Sequence, residues 1–357
     1  MQLKQTLIIA FALSVISLTA WEFFWRSKPE LYKASLEDDR YLWAEQRAKV
    51  ETATDKDVIL IGSSRTGFNF NTHVWEDVQG IKPINLSTDG KPPGPFLDDI
   101  VHNTYFNGTI IIGVTPLFWF DKADNTWWKG AQKWVDHYHD ETYAQKLGYF
   151  LSKPLQRHLV MLTSSELKFY NDLDLKSLIN RISIPGRIEE ERMLYNFSYH
   201  DEDRNLMMFP IMVKDPGYAK KIQYVWEGFL PHIPGYEAIK DDMPEIFDYY
   251  LKVIDIFKAR GGKIIFVRHK AEEPWNKVTK RFLPRNKVWD KFIEIVNCPG
   301  YHFEDYEFMS KYTLPDWSHM YVDDAKIYTK DMVNKMIEDG YLTRYSKNEK
   351  QILTNKN

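Results

Sequence analysis

The stretch DVILIGSSR, from Asp57 to Arg65, decides how this chain is expected to fold. It is a short apolar run that ends at Gly62 and is followed by polar residues. Such a run, bounded by turn signals, is typical of a strand that is buried on both faces, as in a parallel sheet. Ser64 therefore follows the carboxyl end of a predicted buried strand.

Other segments extend this pattern along the chain. Three more apolar runs are predicted to be buried strands: residues 83–87, 108–114 and 262–267. Three segments with apolar residues at helical spacing are predicted to be helices: 244–260, 286–297 and 323–338. Strands that alternate with helices predict an α/β fold, a three-layer sandwich whose mostly parallel sheet is covered on both faces.

The rest of the chain divides into segments of different character. Residues 29–55 are polar and are predicted to form a helical connector to the α/β domain, residues 56–345. Within that domain, residues 118–235 show no clear periodicity and are predicted to be an irregular insertion over the sheet. Residues 346–357 are a polar tail.

The amino-terminal segment, residues 1–28, is predicted to be a transmembrane helix that anchors the chain. No charge interrupts Gln5 to Trp21, and the aromatic residues that follow resemble the belt at a membrane interface. A helix needs about 20 residues to cross the hydrocarbon layer, which this stretch just provides. A cleaved signal peptide is the alternative, although Leu18-Thr19-Ala20 is a poor cleavage site. Charge alone leaves the orientation open, because basic residues flank both ends: Lys4, Arg26, Lys28 and Lys33.

Composition excludes several classes of protein. The chain has 357 residues, of which 44% are hydrophobic and 27% charged, as is ordinary for a globular protein. A formal net charge of -3 and the lack of a Lys/Arg cluster give no electrostatic basis for a nucleic-acid partner. The single cysteine, Cys298, excludes an internal disulfide and a cysteine-based zinc site. The sequence indicates no metal and no organic cofactor.

A second motif lies near the other end of the chain, in Asp316-Trp317-Ser318-His319. With Ser64 it supplies the hydroxyl, imidazole and carboxylate of a serine acyl-transfer site. Ligands of doubly wound sheets bind at the carboxyl ends of strands, where Ser64 is predicted. Ser64 is the predicted nucleophile, His319 the general base and then acid, and Asp316 the group that orients the imidazole. The oxyanion is predicted to accept hydrogen bonds from the backbone N–H groups of Ser64 and Gly90.

Four other residues are candidate substrate ligands. Arg65 and Arg268 are suited to a carboxylate or phosphate on the substrate, and structural ion pairing is the alternative. Trp127 and Trp128 are suited to stacking against a sugar ring, and packing inside the insertion is the alternative.

These motifs resemble those of the SGNH/GDSL hydrolase superfamily. The family's Gly-Asp-Ser block is matched by Gly62-Ser63-Ser64, its second-block glycine by Gly90, and its Asp-x-x-His block by Asp316 and His319. The third block, Gly-x-Asn-Asp, reads Gly113-Val114-Thr115-Pro116 here. The oxyanion-binding asparagine is therefore absent, and the Thr115 hydroxyl is the candidate substitute. The resemblance implies an SGNH-like fold over roughly residues 55–340.

Three segments narrow the resemblance: Gly62–Arg65, Phe266-Val267-Arg268 and Leu283–Asp290. They are similar to a membrane-anchored bacterial group that includes the alginate O-acetylation proteins and the D-alanyl transfer protein of teichoic acid modification. The resemblance implies a domain outside the membrane, periplasmic or on the outer face, beside a membrane-bound O-acyltransferase. It implies transfer of an acyl group, foremost acetyl, to or from an envelope or secreted polysaccharide.

Two other functions stay open on the sequence alone. A carbohydrate or lipid esterase without a transferase role would use the same site residues. An inactive SGNH scaffold that binds a glycan or a membrane acyltransferase is compatible with the missing asparagine.

Overall fold

The computed structural model describes residues 2–123, 125–162, 194–233 and 235–346. Its centre is a five-stranded sheet in the order β2-β1-β3-β6-β7, in which every neighbouring pair is parallel. The strands of this sheet are β1 (Val58–Gly62), β2 (Ile84–Asn85), β3 (Thr109–Gly113), β6 (Lys263–Arg268) and β7 (Gly300–His302). A separate antiparallel pair is formed by β4 (Ser198–His200) and β5 (Leu206–Met208).

Helices fill most of the remaining described chain. From the amino terminus to β3 they are α1 (Gln2–Arg26), α2 (Arg40–Ala48), α3 (Ser64–Asn69), α4 (Thr72–Gln79) and α5 (Gly94–Asn103). Between β3 and β6 they are α6 (Pro116–Trp119), α7 (Thr126–Asp140), α8 (Tyr143–His158), α9 (Ile211–Lys214), α10 (Pro216–Glu227) and α11 (Met243–Ala259). After β6 they are α12 (Trp275–Phe282), α13 (Trp289–Val296), α14 (Glu307–Ser310) and α15 (Val322–Glu338).

The sheet separates two hydrophobic clusters, because alternate residues of a strand point to opposite faces. On one face, strand residues such as Ile59 and Ile110 pack with α2, α5, α7, α11 and α13. On the other face, Leu60 and Ile111 pack with α4 and α15. Helices therefore lie against both faces of the sheet, which explains why its strands read as continuous apolar runs.

Two glycines let the chain after β1 turn close over the sheet. Gly62 and Gly113 pair across β1 and β3, and Thr66 of α3 lies directly above both. A Cβ at Gly62 would lie 2.0 Å from the Thr66 hydroxyl oxygen, and one at Gly113 would lie 1.8 Å from it. Because neither glycine has a side chain, α3 can lie this close to the sheet. Ser64, its first residue, is thereby at the carboxyl edge of the sheet.

Most of the predicted elements are confirmed. The four predicted strands are β1, β2, β3 and β6, and the three predicted helices are α11, α13 and α15. The connector is helical over α2 and a 3₁₀ helix that follows it directly, Lys49–Thr52, while the residues before α2 have no regular secondary structure. The prediction of an irregular insertion is wrong over residues 126–158, where α7 and α8 form two long helices. The polar tail after Ser346 lies outside the described residues.

The prediction of an amino-terminal helix of membrane-spanning length is confirmed. Leu3–Arg26 contains 24 residues with a mean hydropathy of 2.0 in its most apolar window. Only 6% of that window is buried, so the apolar side chains of α1 project away from the rest of the protein. Its length and composition are those needed to cross a bilayer.

Candidate active site

Ser64 and His319 meet although they lie 255 residues apart in the sequence. Ser64 is the first residue of α3, immediately after β1, and His319 precedes α15. The Ser64 Oγ is 2.8 Å from His319 Nε2, a hydrogen-bonding distance. The hydroxyl is thus placed to pass its proton to the imidazole, the geometry that a serine nucleophile requires.

Asp316 holds the opposite side of the imidazole. Its Oδ2 lies 2.6 Å from His319 Nδ1, and its Oδ1 accepts hydrogen bonds from the backbone N–H groups of Ser318 (3.1 Å) and His319 (2.8 Å). Trp317, between them, has φ +69°, a left-handed conformation that costs a non-glycine residue about 1 kcal/mol. This tight turn brings the carboxylate and the imidazole to face each other.

The surroundings of Asp316 keep its carboxyl ionised. Burial raises the pKa of Asp316, but the positive charge and hydrogen bonds of His319, with the Ser318 N–H, outweigh it and the pKa is lowered. The carboxylate therefore stabilises the fold above its ordinary pKa of 3.8, and this contribution is lost as pH falls through the lowered value. A buried carboxylate that stays charged can stabilise a protonated imidazole during catalysis.

Aromatic rings enclose the imidazole on several sides. The centroids of Phe68, Phe197 and Trp226 lie 4.4, 6.0 and 6.2 Å from that of His319. The Trp226 indole N–H also donates to Asp316 Oδ2 at 3.2 Å. The sequence did not indicate these residues, because Phe197 and Trp226 come from the segment between β3 and β6, and only tertiary packing brings them here.

The loop that contains Gly90, a predicted oxyanion donor, lies beside the carboxyl end of β1. The loop after β2 is fixed beside β1 by a 2.9 Å hydrogen bond from the Thr88 N–H to the Gly62 carbonyl. In this loop Gly90 has φ +62°, in the left-handed region that favours glycine. Burial raises the pKa of its neighbour Asp89, and the positive charge of His200 is the largest influence that opposes this rise.

Thr115, the candidate substitute for asparagine, is paired with Ser63. Their hydroxyl oxygens are 2.5 Å apart, and either can donate. If Ser63 donates, the Thr115 proton stays available to a substrate oxygen; if Thr115 donates, it does not. In the sequence analysis, Ser63 was noted only because it stands at the position of aspartate in the Gly-Asp-Ser block. In the structure its hydroxyl links the ends of β1 and β3.

Arg65 and Arg268 form a buried positive region beside the triad. Arg65 Nε donates to Ser318 Oγ at 3.1 Å, and Arg268 Nη1 donates to the His269 carbonyl at 2.5 Å. Burial lowers the pKa of Arg65 to about 10, and burial with the nearby charge of Arg65 lowers that of Arg268. The negative charge of Asp316 opposes the lowering of the Arg65 pKa, and that of Glu304 opposes the lowering of the Arg268 pKa. Substrate binding and structural pairing both stay predictions for these two residues.

A cleft opens next to this positive region at the carboxyl edge of the sheet. Its empty volume, including the part open to solvent, is about 390 Å³. The cleft is lined by the residues that end β6 and β7, Arg268 and His302. Three further charged residues line it: Lys280, Arg285 and Glu304. The described triad residues do not line it.

Trp127 and Trp128 lie at the start of α7. Trp127 makes an edge contact with Phe118 at 5.8 Å between centroids, and Trp128 makes one with Tyr249 at 5.5 Å. Trp128 also covers Gly94, where a Cβ would lie 2.2 Å from the indole ring. Their described contacts are therefore with α5, α6 and α11, and a sugar-binding role for them stays a prediction.

Two buried histidines near the site should make stability depend on pH. Burial, with nearby positive charge, lowers the pKa of His269 to about 3 and that of His302 to about 2. Between the ordinary value of 6.5 and these values only the unfolded chain takes up the protons. The free energy of unfolding should therefore fall as pH falls through this window, by at most about 1.4 kcal/mol per pH unit for each histidine.

The measurement is urea unfolding in detergent at several pH values between neutral and acid. His302→Gln should reduce the slope of stability against pH. Ile254→Val, which shortens a buried apolar side chain of α11 and removes no titrating group, should shift stability equally at every pH. Equal slopes for His302→Gln and the wild type would contradict the assignment.

Comparison with models of known protein families gives no match, and no curated protein matches the chain.

Proposed function

We propose that the protein catalyses serine-dependent acyl transfer through an acyl-Ser64 intermediate. His319 removes the Ser64 proton as Oγ attacks the ester carbonyl, and then gives that proton to the departing alcohol. The hydroxyl of an acceptor, deprotonated by His319, then attacks the acyl-enzyme carbonyl; the bond to Ser64 Oγ breaks, and His319 returns the proton to that oxygen. The observation that supports this most directly is the hydrogen-bonded series Ser64–His319–Asp316.

The same proposal assigns the chain an SGNH-type architecture, a three-layer sandwich. Three observations support it: a serine after the first strand, an Asp-x-x-His turn before the last described helix, and helices against both faces of a parallel sheet. The Ser64 and Gly90 N–H groups and the Thr115 hydroxyl are the proposed oxyanion donors.

The proposed substrate is an acetyl or related acyl ester of an envelope or secreted polysaccharide, with the α/β domain outside the membrane. The motif resemblance and the amino-terminal helix support this assignment, and a membrane-bound O-acyltransferase is the proposed partner. Arg65 and Arg268 would bind an anionic group of the substrate, since both are buried cations close enough for the charge of Arg65 to lower the pKa of Arg268, and Arg65 lies against Ser318 of the triad turn.

Fluorophosphonate labelling tests the chemistry directly. The Ser64 oxygen should form a bond to phosphorus as fluoride leaves and the serine proton passes to His319. Mass spectrometry should find the added phosphonyl group on the peptide that contains Ser64. Ser310→Ala, a control in α14, should label like the wild type, and an unlabelled Ser64 would overturn the proposal.

A scaffold without catalytic activity is the second candidate, and the Ser63–Thr115 hydrogen bond favours it, because that bond can occupy a required oxyanion donor. Failure of the serine to react with the fluorophosphonate would favour this function. A hydrolytic esterase shares every site residue with the transferase. Product analysis with a glycan acceptor separates the two, because hydrolysis yields only free acid.

A further inference from the structure

Helix α8 presents its apolar residues to the outside instead of to the protein. The apolar residues on its outer face are Tyr143, Leu147, Phe150, Leu151, Pro154 and Leu155. Phe150 is 69% exposed and Leu151 62% exposed. An ordinary surface helix turns its apolar stripe to the core and its polar face to solvent. The inverted arrangement requires an apolar environment outside the folded domain.

The inner face of α8 is fixed to the domain by rings and charges. Tyr149 stacks on Tyr41 with ring centroids 5.5 Å apart, and it is buried. Lys153 pairs with Glu45, and the Gln156 side chain accepts a hydrogen bond from a backbone N–H of the connector. The helix therefore has a defined inner side, and its apolar side faces outward in consequence.

The carboxyl end of α8 is attached to the last turns of α1. Glu22 accepts hydrogen bonds from the backbone N–H groups of Val160 and Met161, both at 2.9 Å. Arg26 donates to the carbonyl of His158, the last residue of α8. These turns of α1 also carry its aromatic cluster and its first charges after the apolar stretch, the features of a membrane interface.

We propose that α8 lies in the interfacial layer of the bilayer that α1 spans, with its outer face buried among lipid acyl chains. An amphipathic helix with an apolar face and flanking basic residues binds in this way. Lys146 and Arg157 lie beside the apolar face, where they pair with Glu141 and Glu202 and stay partly exposed, so their charges lie at the level of the lipid head groups. The proposal rests on α1 spanning a membrane and is independent of the acyl-transfer chemistry.

Contact of α8 with lipid would set the position of the domain on the membrane. A single spanning helix leaves a domain free to tilt, whereas a second attachment at a different point removes much of that freedom. The connection through α2, which packs on the sheet, would then hold the carboxyl edge of the sheet at a fixed distance from the lipid surface.

The test uses the full chain with Cys298→Ala, in which single cysteines carry an environment-sensitive fluorophore. The label is placed at Phe150→Cys, and at Leu151→Cys as a second position on the same face. Phe11→Cys in α1 is the positive control, and Ile327→Cys in α15, another exposed apolar helix residue, is the matched negative control. Proteins are reconstituted in vesicles of phosphatidylcholine and phosphatidylglycerol, and far-ultraviolet circular dichroism checks that each is folded.

Labels at 150 and 151 should be quenched by lipids that carry doxyl groups and should be severalfold less accessible to aqueous iodide than the label at 327. Iodide quenching equal to that at 327 would overturn the proposal. Protection from both quenchers would overturn it too, because it would mean that protein covers the face, whether residues 163–193 or another chain. If the label at residue 11 also showed no quenching by doxyl lipids, α1 would not span the bilayer. The premise of the proposal would then fail.

Discussion

Replacing Ser64 with alanine should lower ester turnover by about 10⁴-fold or more, the size of effect seen when a triad nucleophile is removed. The methyl group cannot form the acyl-enzyme, and His319 then has no hydroxyl to deprotonate. The free energy of unfolding should change by about 1 kcal/mol or less, because one hydrogen bond is lost while alanine suits the first turn of α3.

Hydrolysis of p-nitrophenyl acetate by the detergent-solubilised protein measures the first effect, and thermal unfolding measures the second. Ser310→Ala is the matched control, since it removes a serine hydroxyl of α14 whose hydrogen bonds, among the described residues, go to the carbonyls of Tyr306 and Glu307. Its turnover should equal that of the wild type. Undiminished turnover by Ser64→Ala, with the protein folded, would exclude Ser64 as the nucleophile.

The sheet could be predicted because its strands are buried on both faces. Three strands are almost entirely apolar: Val58–Gly62, Thr109–Gly113 and Lys263–Arg268. Such runs are typical of strands that are covered on both faces. β7 has three residues, of which Tyr301 alone is a large apolar one, so it gives no such signal. Its place in the sheet depends on pairing with β6.

Helix α8 of the insertion was missed for a different reason. Periodicity arguments assume that an apolar stripe packs against the core. In α8 the side that packs against the domain carries Tyr149, Lys153 and Gln156, while the apolar side is exposed. Two signals were nevertheless present in the sequence: the capping box of Thr142 with Gln145 at the start of α8, and apolar residues at helical spacing after it.

The triad could be proposed because its residues follow elements that the sequence reveals. Ser64 follows an apolar strand, and the Asp-x-x-His spacing allows Asp316 and His319 to meet in one turn. The groups that shape the site come from distant segments: Trp226 donates to a residue 90 positions away, and Ser63 bonds to one 52 positions away. Single-sequence patterns contain no signal for such pairings.

Replacing Asp316 with asparagine should lower turnover by about 10⁴-fold with the fold retained, because the amide reverses the tautomer of His319. The amide oxygen can keep the hydrogen bonds from the Ser318 and His319 N–H groups, which leaves the amide NH₂ facing His319 Nδ1. Nδ1 must then accept, and the ring proton moves to Nε2, which faces Ser64. An imidazole protonated at Nε2 cannot take the serine proton.

Trp226→Phe is the matched control for this change. It removes the N–H that donates to Asp316 Oδ2 and keeps an aromatic ring beside His319, while the carboxylate and the tautomer are preserved. Its effect on turnover should be about 100-fold or smaller, the size of one hydrogen bond to a charged group, and so well below that of Asp316→Asn. If Asp316→Asn lost no more activity than Trp226→Phe, Asp316 would be a structural residue of the turn and His319 would function without an orienting carboxylate. A loss confined to Asp316→Asn, with a protein that unfolds at nearly the wild-type temperature, would instead tie turnover to the charged carboxylate and the His319 tautomer that it sets, both of which Trp226→Phe preserves.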